Sequence, residues 1–143
     1  MLVKQIFKQK DNRIITVQPD DTVAAAAEVL KRENIGALMV SGPGGQLAGI
    51  ISERDIVRAM PKHGPNLFAM TVEQLMTREV ITCSSEDRVH DLMKKMTSGR
   101  FRHLPVVDAG NLTGIISIGD VVKSRLEELE AEASQLRDYI ASG

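Results

Sequence analysis

The chain has 143 residues, with 18 Lys and Arg against 19 Asp and Glu, 43% hydrophobic and 3% aromatic residues, and one cysteine. That length is about one ordinary domain, so an internal duplication must give two small units sharing a core, with no room for a separate catalytic domain. The near-zero charge gives no basic field for nucleic acid, one Tyr, three Phe and no Trp leave few stacking platforms, and Cys83 alone cannot form an intramolecular disulfide.

The opening stretch MLVKQIFKQKDNR lacks the apolar run of a signal peptide, and nothing approaches the ~18 apolar residues of a membrane span. A soluble, cytoplasmic protein that does not contact membranes is therefore expected, with Cys83 as a buried free thiol.

In chain order, Val3, Gln5 and Ile6 predict a short leading helix, and Ile14 to Val17 a strand. Asp21 and Thr22 form a cap for a helix with Val23, Ala26, Ala27 and Leu30 on one face. Two strands follow, Ala37 to Ser41 and Leu47 to Ile51, joined at GPGG, and then a second helix. Pro61 to Met70, with two prolines and Gly64, is expected to be a linker. The same series then recurs: a leading helix at Val72, Gln74 and Leu75, a strand at Val80 to Cys83, and a helix with Val89, Leu92, Met93 and Met96. Strands His103 to Val107 and Leu112 to Ile116 meet around DAGN.

The halves align almost end to end with a one-residue gap, pairing Thr16 with Thr82, Leu38 with Leu104, Gly49 with Gly114, Ser52 with Ser117 and Asp55 with Asp120. A sheet of three strands with helices on one face cannot bury its apolar surface in ~60 residues. The fold class expected is thus α/β (α+β), with two pseudo-symmetric β-α-β-β-α repeats packed sheet to sheet. The boundaries read as 1–62 and 63–126, each repeat with its leading helix, and an extended C-terminal helix over 127–143. In that helix Val122, Leu126, Leu129, Ala133, Leu136 and Ile140 alternate spacings of four and three, a heptad seam that suits either a dimer contact or folding back onto its own module.

The repeated order, with GIISERD and GIISIGD at equivalent places and the string RFRHLPVVD, resembles the CBS (cystathionine-β-synthase-type) domain family over about residues 1–126. The resemblance implies a cleft in which a serine hydroxyl faces ligand phosphate and an aspartate three residues on holds the ribose diol, here Ser52 with Asp55 and Ser117 with Asp120. It further implies that backbone near Thr16 and Thr82 reads the adenine edge, with Val17 and Ile81 as apolar walls. The strand carrying Arg102, His103 and Pro105 would border the nucleotide, and Ile35, Gly36 and Ala37 hold the matching place in the first repeat. Related pairs bind AMP, ADP, ATP, NAD-type dinucleotides or S-adenosylmethionine, and some bind nothing.

The residue chemistry is compatible with that picture, since a carboxylate accepts both hydroxyls of a cis-diol and free amides at a helix start favour phosphate. The same Ser-x-x-Asp pattern is also a capping box that needs no ligand, and Thr16, Val17, Ile81 and Thr82 are equally ordinary β-branched core residues. Arg54, within the first motif where Gly119 stands in the second, is a candidate phosphate partner, as is Arg102; solvated surface arginine is the plainer account of both. Catalysis is disfavoured: Ser117, His103 and Asp120 lack the setting of a triad, and His63, His90, His103 and Cys83 have no metal-ligand spacing. The expectation is a non-catalytic regulatory module binding an adenine nucleotide or dinucleotide (AMP, ATP or NAD class), without catalytic cofactor, metal or nucleic acid, acting as a homodimer on an unknown protein partner. Its rival is a ligand-free dimeric scaffold.

Overall fold

The computed structural model describes residues 1–8 and 14–142. The elements are α1 (Val3–Phe7), β1 (Thr16–Val17), α2 (Val23–Glu33), β2 (Ala37–Ser41), β3 (Leu47–Ser52), α3 (Glu53–His63), α4 (Val72–Leu75), α5 (Val89–Gly99), β4 (His103–Asp108), β5 (Asn111–Ser117) and α6 (Ile118–Ser142). This is the α/β arrangement expected, two repeats each with its own sheet. In the first sheet β1 pairs parallel with β2 and β2 antiparallel with β3; in the second β4 pairs antiparallel with β5.

Thr22 caps α2 by accepting a hydrogen bond from the Ala25 amide at 3.1 Å. Val23, Ala26 and Leu30 then turn one apolar face into a core with Leu38, Val40, Ile51 and Ile56. The second core repeats this with Val89, Leu92, Met96, Leu104, Val106, Ile116 and Val121. Asp21 and Asp87, at equivalent places, each accept a backbone bond from three residues back, from Gln18 at 2.8 Å and Ser84 at 2.9 Å, so the turn into each first helix is built twice in the same way.

Three expectations change. The strand at Val80 to Cys83 shrinks to a single bridge between Cys83 and Val106, in which the Cys83 amide donates to Pro105 (3.0 Å) and the Val107 amide to Cys83 (2.8 Å). In parallel pairing the next rung needs the amide of residue 105, and proline has none. The Pro61 to Met70 linker is structured: α3 runs through Pro61 to His63, and Gly64–Ala69 forms a 3-10 turn that puts Leu67 wholly inside the first core. Near a helix C-terminus the amide lost to proline removes a single bond from the last turn, so the helix tolerates it.

Third, the leading helices cross over. Val3 and Ile6 lie in the second core, while Val72 and Met76 lie in the first. Backbone bonds tie each in place: Val3 and Lys4 amides to Asp87 and Ser85 (both 2.9 Å), and Val72 and Glu73 amides to Asp21 (2.8 Å) and Pro19 (2.9 Å). The paired glycines explain the close approach. A Cβ on Gly49 would lie 2.6 Å from the Thr77 carbonyl oxygen, and one on Gly114 2.7 Å from the Phe7 ring.

Candidate functional site

Each repeat ends its antiparallel pair of strands at a sharp strand-to-helix corner. The register sets Ala37 opposite Ser52 and His103 opposite Ser117. The chain then turns into α3 or α6, and the first helical amide reaches back across the pair: Glu53 to the Gly36 carbonyl (3.0 Å), Ile118 to the Arg102 carbonyl (2.8 Å).

At both corners the serine and aspartate form a reciprocal capping box. Asp55 Oδ2 accepts from the Ser52 amide (2.9 Å) while Ser52 Oγ accepts from the Asp55 amide (3.2 Å). Asp120 Oδ2 accepts from the Ser117 amide (2.9 Å), and Ser117 Oγ from the Asp120 amide (3.1 Å). All four side chains are half-buried. The capping reading is therefore realised in geometry, and in each box it engages one carboxylate oxygen. It also holds the carboxylate in a fixed pose at a helix start, where the remaining amides favour an anion.

The two corners meet. A Cβ built on Gly36 would fall 3.1 Å from Glu53 Oε1 and 3.5 Å from His103 Cε1, so the first repeat's corner abuts the strand that begins the second repeat's corner. The contact is between Gly36 and His103; Ser52 with Asp55 lies on the first side of it and Ser117 with Asp120 on the second, through the Ala37–Ser52 and His103–Ser117 register. Ala37 and Pro105 are buried, Arg54 and Arg102 are exposed, and Ile35 is half-buried. On the helical side of the first corner a cleft of about 430 Å³ opens between the end of α2 and the start of α3, walled by Leu30, Lys31, Ile35, Gly36, Glu53 and Val57 among others. Of the expected set, Ile35 and Gly36 line it.

The first-strand residues divide. Val17 is packed in the first core, and Ile81 is 53% exposed because its strand is missing. Thr16 pairs with Met39, and both Thr16 and Thr82 are exposed. Two features escaped the sequence reading. Glu53 stands at the junction beside Gly36, one residue past the motif serine; that adjacency was its signal. Asp108 anchors the second repeat's turn, with Oδ1 accepting from the Ser85 amide and from the hydroxyls of Ser84 and Ser85, each at 3.0 Å, and Oδ2 from Thr113 at 2.9 Å. The Ser85 amide first, then the hydroxyls, hold its carboxyl below the usual range against the opposing effect of burial. Cys83 is pushed up to about 12 by burial and by the nearby Asp87, which makes it an inert thiol. Among the described residues no cluster of His, Cys, Asp and Glu is arranged to hold a metal ion, and no helix is long and apolar enough to cross a membrane.

Comparison with known proteins matches the CBS domain twice, at residues 3–62 and 72–127. The mitochondrial CBS domain-containing protein CBSX3 of Arabidopsis thaliana is 38% identical over 146 residues, spanning 99% of this chain and 71% of its own. The crystal structure of the CBS-domain protein ATU1752 from Agrobacterium tumefaciens matches with a TM-score of 0.84 at 42% identity, over 87% of this chain and 99% of that one. Two liganded structures match as well. The CBS pair of MJ0100, in complex with 5′-methylthioadenosine and S-adenosyl-L-methionine, has TM-score 0.76 at 32% identity over 91% of this chain and 98% of its own. CBSX2 in complex with AMP has TM-score 0.73 at 27% identity over 88% and 96%. Matched in both halves at these identities, the chain belongs to the CBS-domain family, as a tandem pair of repeats.

Proposed function

We propose that this chain is a non-catalytic regulatory module that binds an adenine nucleotide or dinucleotide, of the AMP, ATP or NAD class, where its two corners meet. The observation that carries the reading is the doubling of a posed serine and aspartate, one pair at each of two corners that touch through Gly36 and His103. In this reading Asp55 and Asp120 hold ribose diols, while Ser52, Ser117 and the amides at the starts of α3 and α6 face phosphate. Arg54, exposed beside the first corner, supplies phosphate charge, and His103 and Pro105 give the second repeat's site a wall that Gly36 and Ala37 do not. The adenosyl ligands carried by MJ0100 and CBSX2 support the class. The module works as a homodimer, in the cytosol, where Cys83 stays reduced, and occupancy alters the surface offered to a protein partner.

A direct test is mass spectrometry of ligand released on denaturation, followed by melting of the stripped protein. At ~100 times its Kd a ligand bound to the folded state alone adds about 2.7 kcal/mol. For a chain of this size that raises Tm by about 5 to 15 °C. AMP, ATP or NAD should give such a shift and free adenine little. Asp120→Asn should lose most of the shift while its ligand-free stability falls by no more than ~1 kcal/mol. Stripped protein that no adenine nucleotide stabilises rejects the reading.

One observation favours a second reading. Both motif aspartates are engaged in reciprocal capping boxes, as a scaffold using them only to start helices requires. That reading predicts the opposite pattern for Asp120→Asn: a lower Tm without ligand, and no nucleotide-dependent shift in either protein.

A further inference from the structure

The last helix leaves the body of the molecule. Val121 and Ser124 are its buried residues, and every residue from Leu129 to Ser142 is exposed. At 1.5 Å per residue the free stretch is about 20 Å long. An isolated helix of that length is marginal in water, and this one carries Leu129, Leu136 and Ile140 at 44%, 60% and 69% exposure. Folding back is not open to it, because no glycine or proline interrupts the sequence between Gly119 and Gly143. The partner must come from outside the chain.

We propose that this partner is the same helix of a second copy, parallel and in register, forming a short two-stranded coiled coil. The proposal specifies the geometry of the dimer and does not depend on the ligand. The seam places Leu126, Ala133 and Ile140 at the a positions and Val122, Leu129 and Leu136 at d, and leucine at d suits a parallel pair. Charge then selects the orientation. In parallel register each g residue faces the e residue five places on in the other helix, so Arg125 meets Glu130 of the partner subunit and Glu132 meets Arg137 of the partner subunit. By symmetry each attraction occurs twice. In the antiparallel arrangement e faces e and g faces g: Glu130 would oppose its own copy, Glu132 its own copy, and Lys123 would oppose Arg137. Like charges would meet at all three places. Arg125 already binds Glu128 within its own helix at 3.0 Å, so the pair of Glu132 with Arg137 is the cleaner discriminator. A parallel stalk sets both nucleotide-binding bodies at the same end, side by side.

The test uses the full chain. In a parallel stalk the d positions meet their own copies, so L129C and L136C should each oxidise to a covalent dimer, while the wild type, with Cys83 buried, should not. Antiparallel packing would instead join L126C to L136C in a mixture and leave each single variant unlinked, which overturns the proposal. Glu132→Arg should weaken self-association by about tenfold, and the double variant E132R/R137E should restore it, because the swap preserves the parallel pair. A double variant as weak as the single one, or a dimer constant unchanged by Glu132→Arg, also overturns it. The melting shift given by AMP should be the same in all these proteins, which separates failure of the stalk from failure of the nucleotide reading.

Discussion

The two repeats share an element order and differ where sequence changes touch backbone hydrogen bonding. The first keeps three strands and a helix capped by Thr22. The second has Pro105 where the first has Met39, and its leading strand is reduced to a bridge. It makes up for this at its turn, where Asp108 gathers two serines and a threonine, while GPGG in the first repeat turns through a 3-10 segment with Gly44 and Gly45 at positive φ. A duplicated fold thus keeps its topology through its apolar positions and is free to vary in how each turn is held.

The largest effect should come from the glycines that let the crossed leading segments approach. At Gly49 an added methyl meets a backbone carbonyl, that of Thr77, which itself bonds the Ile50 amide at 3.0 Å and cannot yield without breaking that bridge. At Gly114 the obstacle is the Phe7 ring at the end of the five-residue α1, which can tilt. Gly49→Ala should cost about 3 kcal/mol and Gly114→Ala about 1. Urea unfolding of both variants ranks them; equal costs would mean that α1 is held as rigidly as α4.

Much of this was legible in the chain. Val23, Ala26 and Leu30 declared α2 by spacing, β2 covers the Ala37 to Ser41 span expected of it, and the doubled Ser-x-x-Asp strings marked both corners. What was not legible needed three dimensions. That α1 serves the second core is invisible in the similarity of Val3 and Val72, because the pattern says which face is buried and not against what. Pro61 falls in the expected linker yet belongs to α3, because the cost of a proline depends on how close it lies to the helix end. The loss of the second leading strand was written in Pro105, but only the pairing register shows that residue 105 must donate.

Next in size is Asp108. Asp108→Ala leaves the Ser85 amide and the Ser84 and Ser85 hydroxyls without their acceptor, Thr113 keeping the Val106 carbonyl at 3.2 Å, and should destabilise by about 2 kcal/mol. Ser41→Ala, near the matching place in the first repeat, should cost a few tenths. Because the folded carboxyl titrates below its unfolded value, its contribution is fully present above about pH 4 and fades as pH falls through the lower folded value. The wild type should therefore lose more stability than Asp108→Asn on going from pH 5 to 3. Parallel pH profiles for the two would remove Asp108 as the anchor.

The corners themselves should be unequal ligand sites. His103 and Pro105 flank the second, whereas the matching residues of the first, Ala37 and Met39, offer neither an imidazole nor a pyrrolidine ring. Asp120→Ala should weaken nucleotide binding by about tenfold more than Asp55→Ala, a difference of ~1.4 kcal/mol. Calorimetry on the two variants decides, and matching losses would make the corners equivalent.

The smallest effect isolates a single cap. Thr22 and Arg88 occupy the same N-cap position in the two repeats, with nearly the same backbone (φ −78, ψ 155 against φ −79, ψ 136), yet Thr22 accepts from an amide and Arg88 has no side-chain cap bond. Arginine cannot accept, and its positive charge sits at the positive end of the α5 dipole. Threonine at 88 would find the Asp91 amide where Thr22 finds that of Ala25. Arg88→Thr should therefore stabilise the protein by about 0.5 to 1 kcal/mol, and Thr22→Ala should destabilise it by about 1. The gain should shrink in high salt, since part of it is removal of an unfavourable charge, whereas the loss at Thr22 should not. Thermal melts at low and high ionic strength separate the two parts, and an Arg88→Thr protein no more stable than the wild type at either would show that the second repeat's helix start is held by its bridge to Leu2 rather than by its cap.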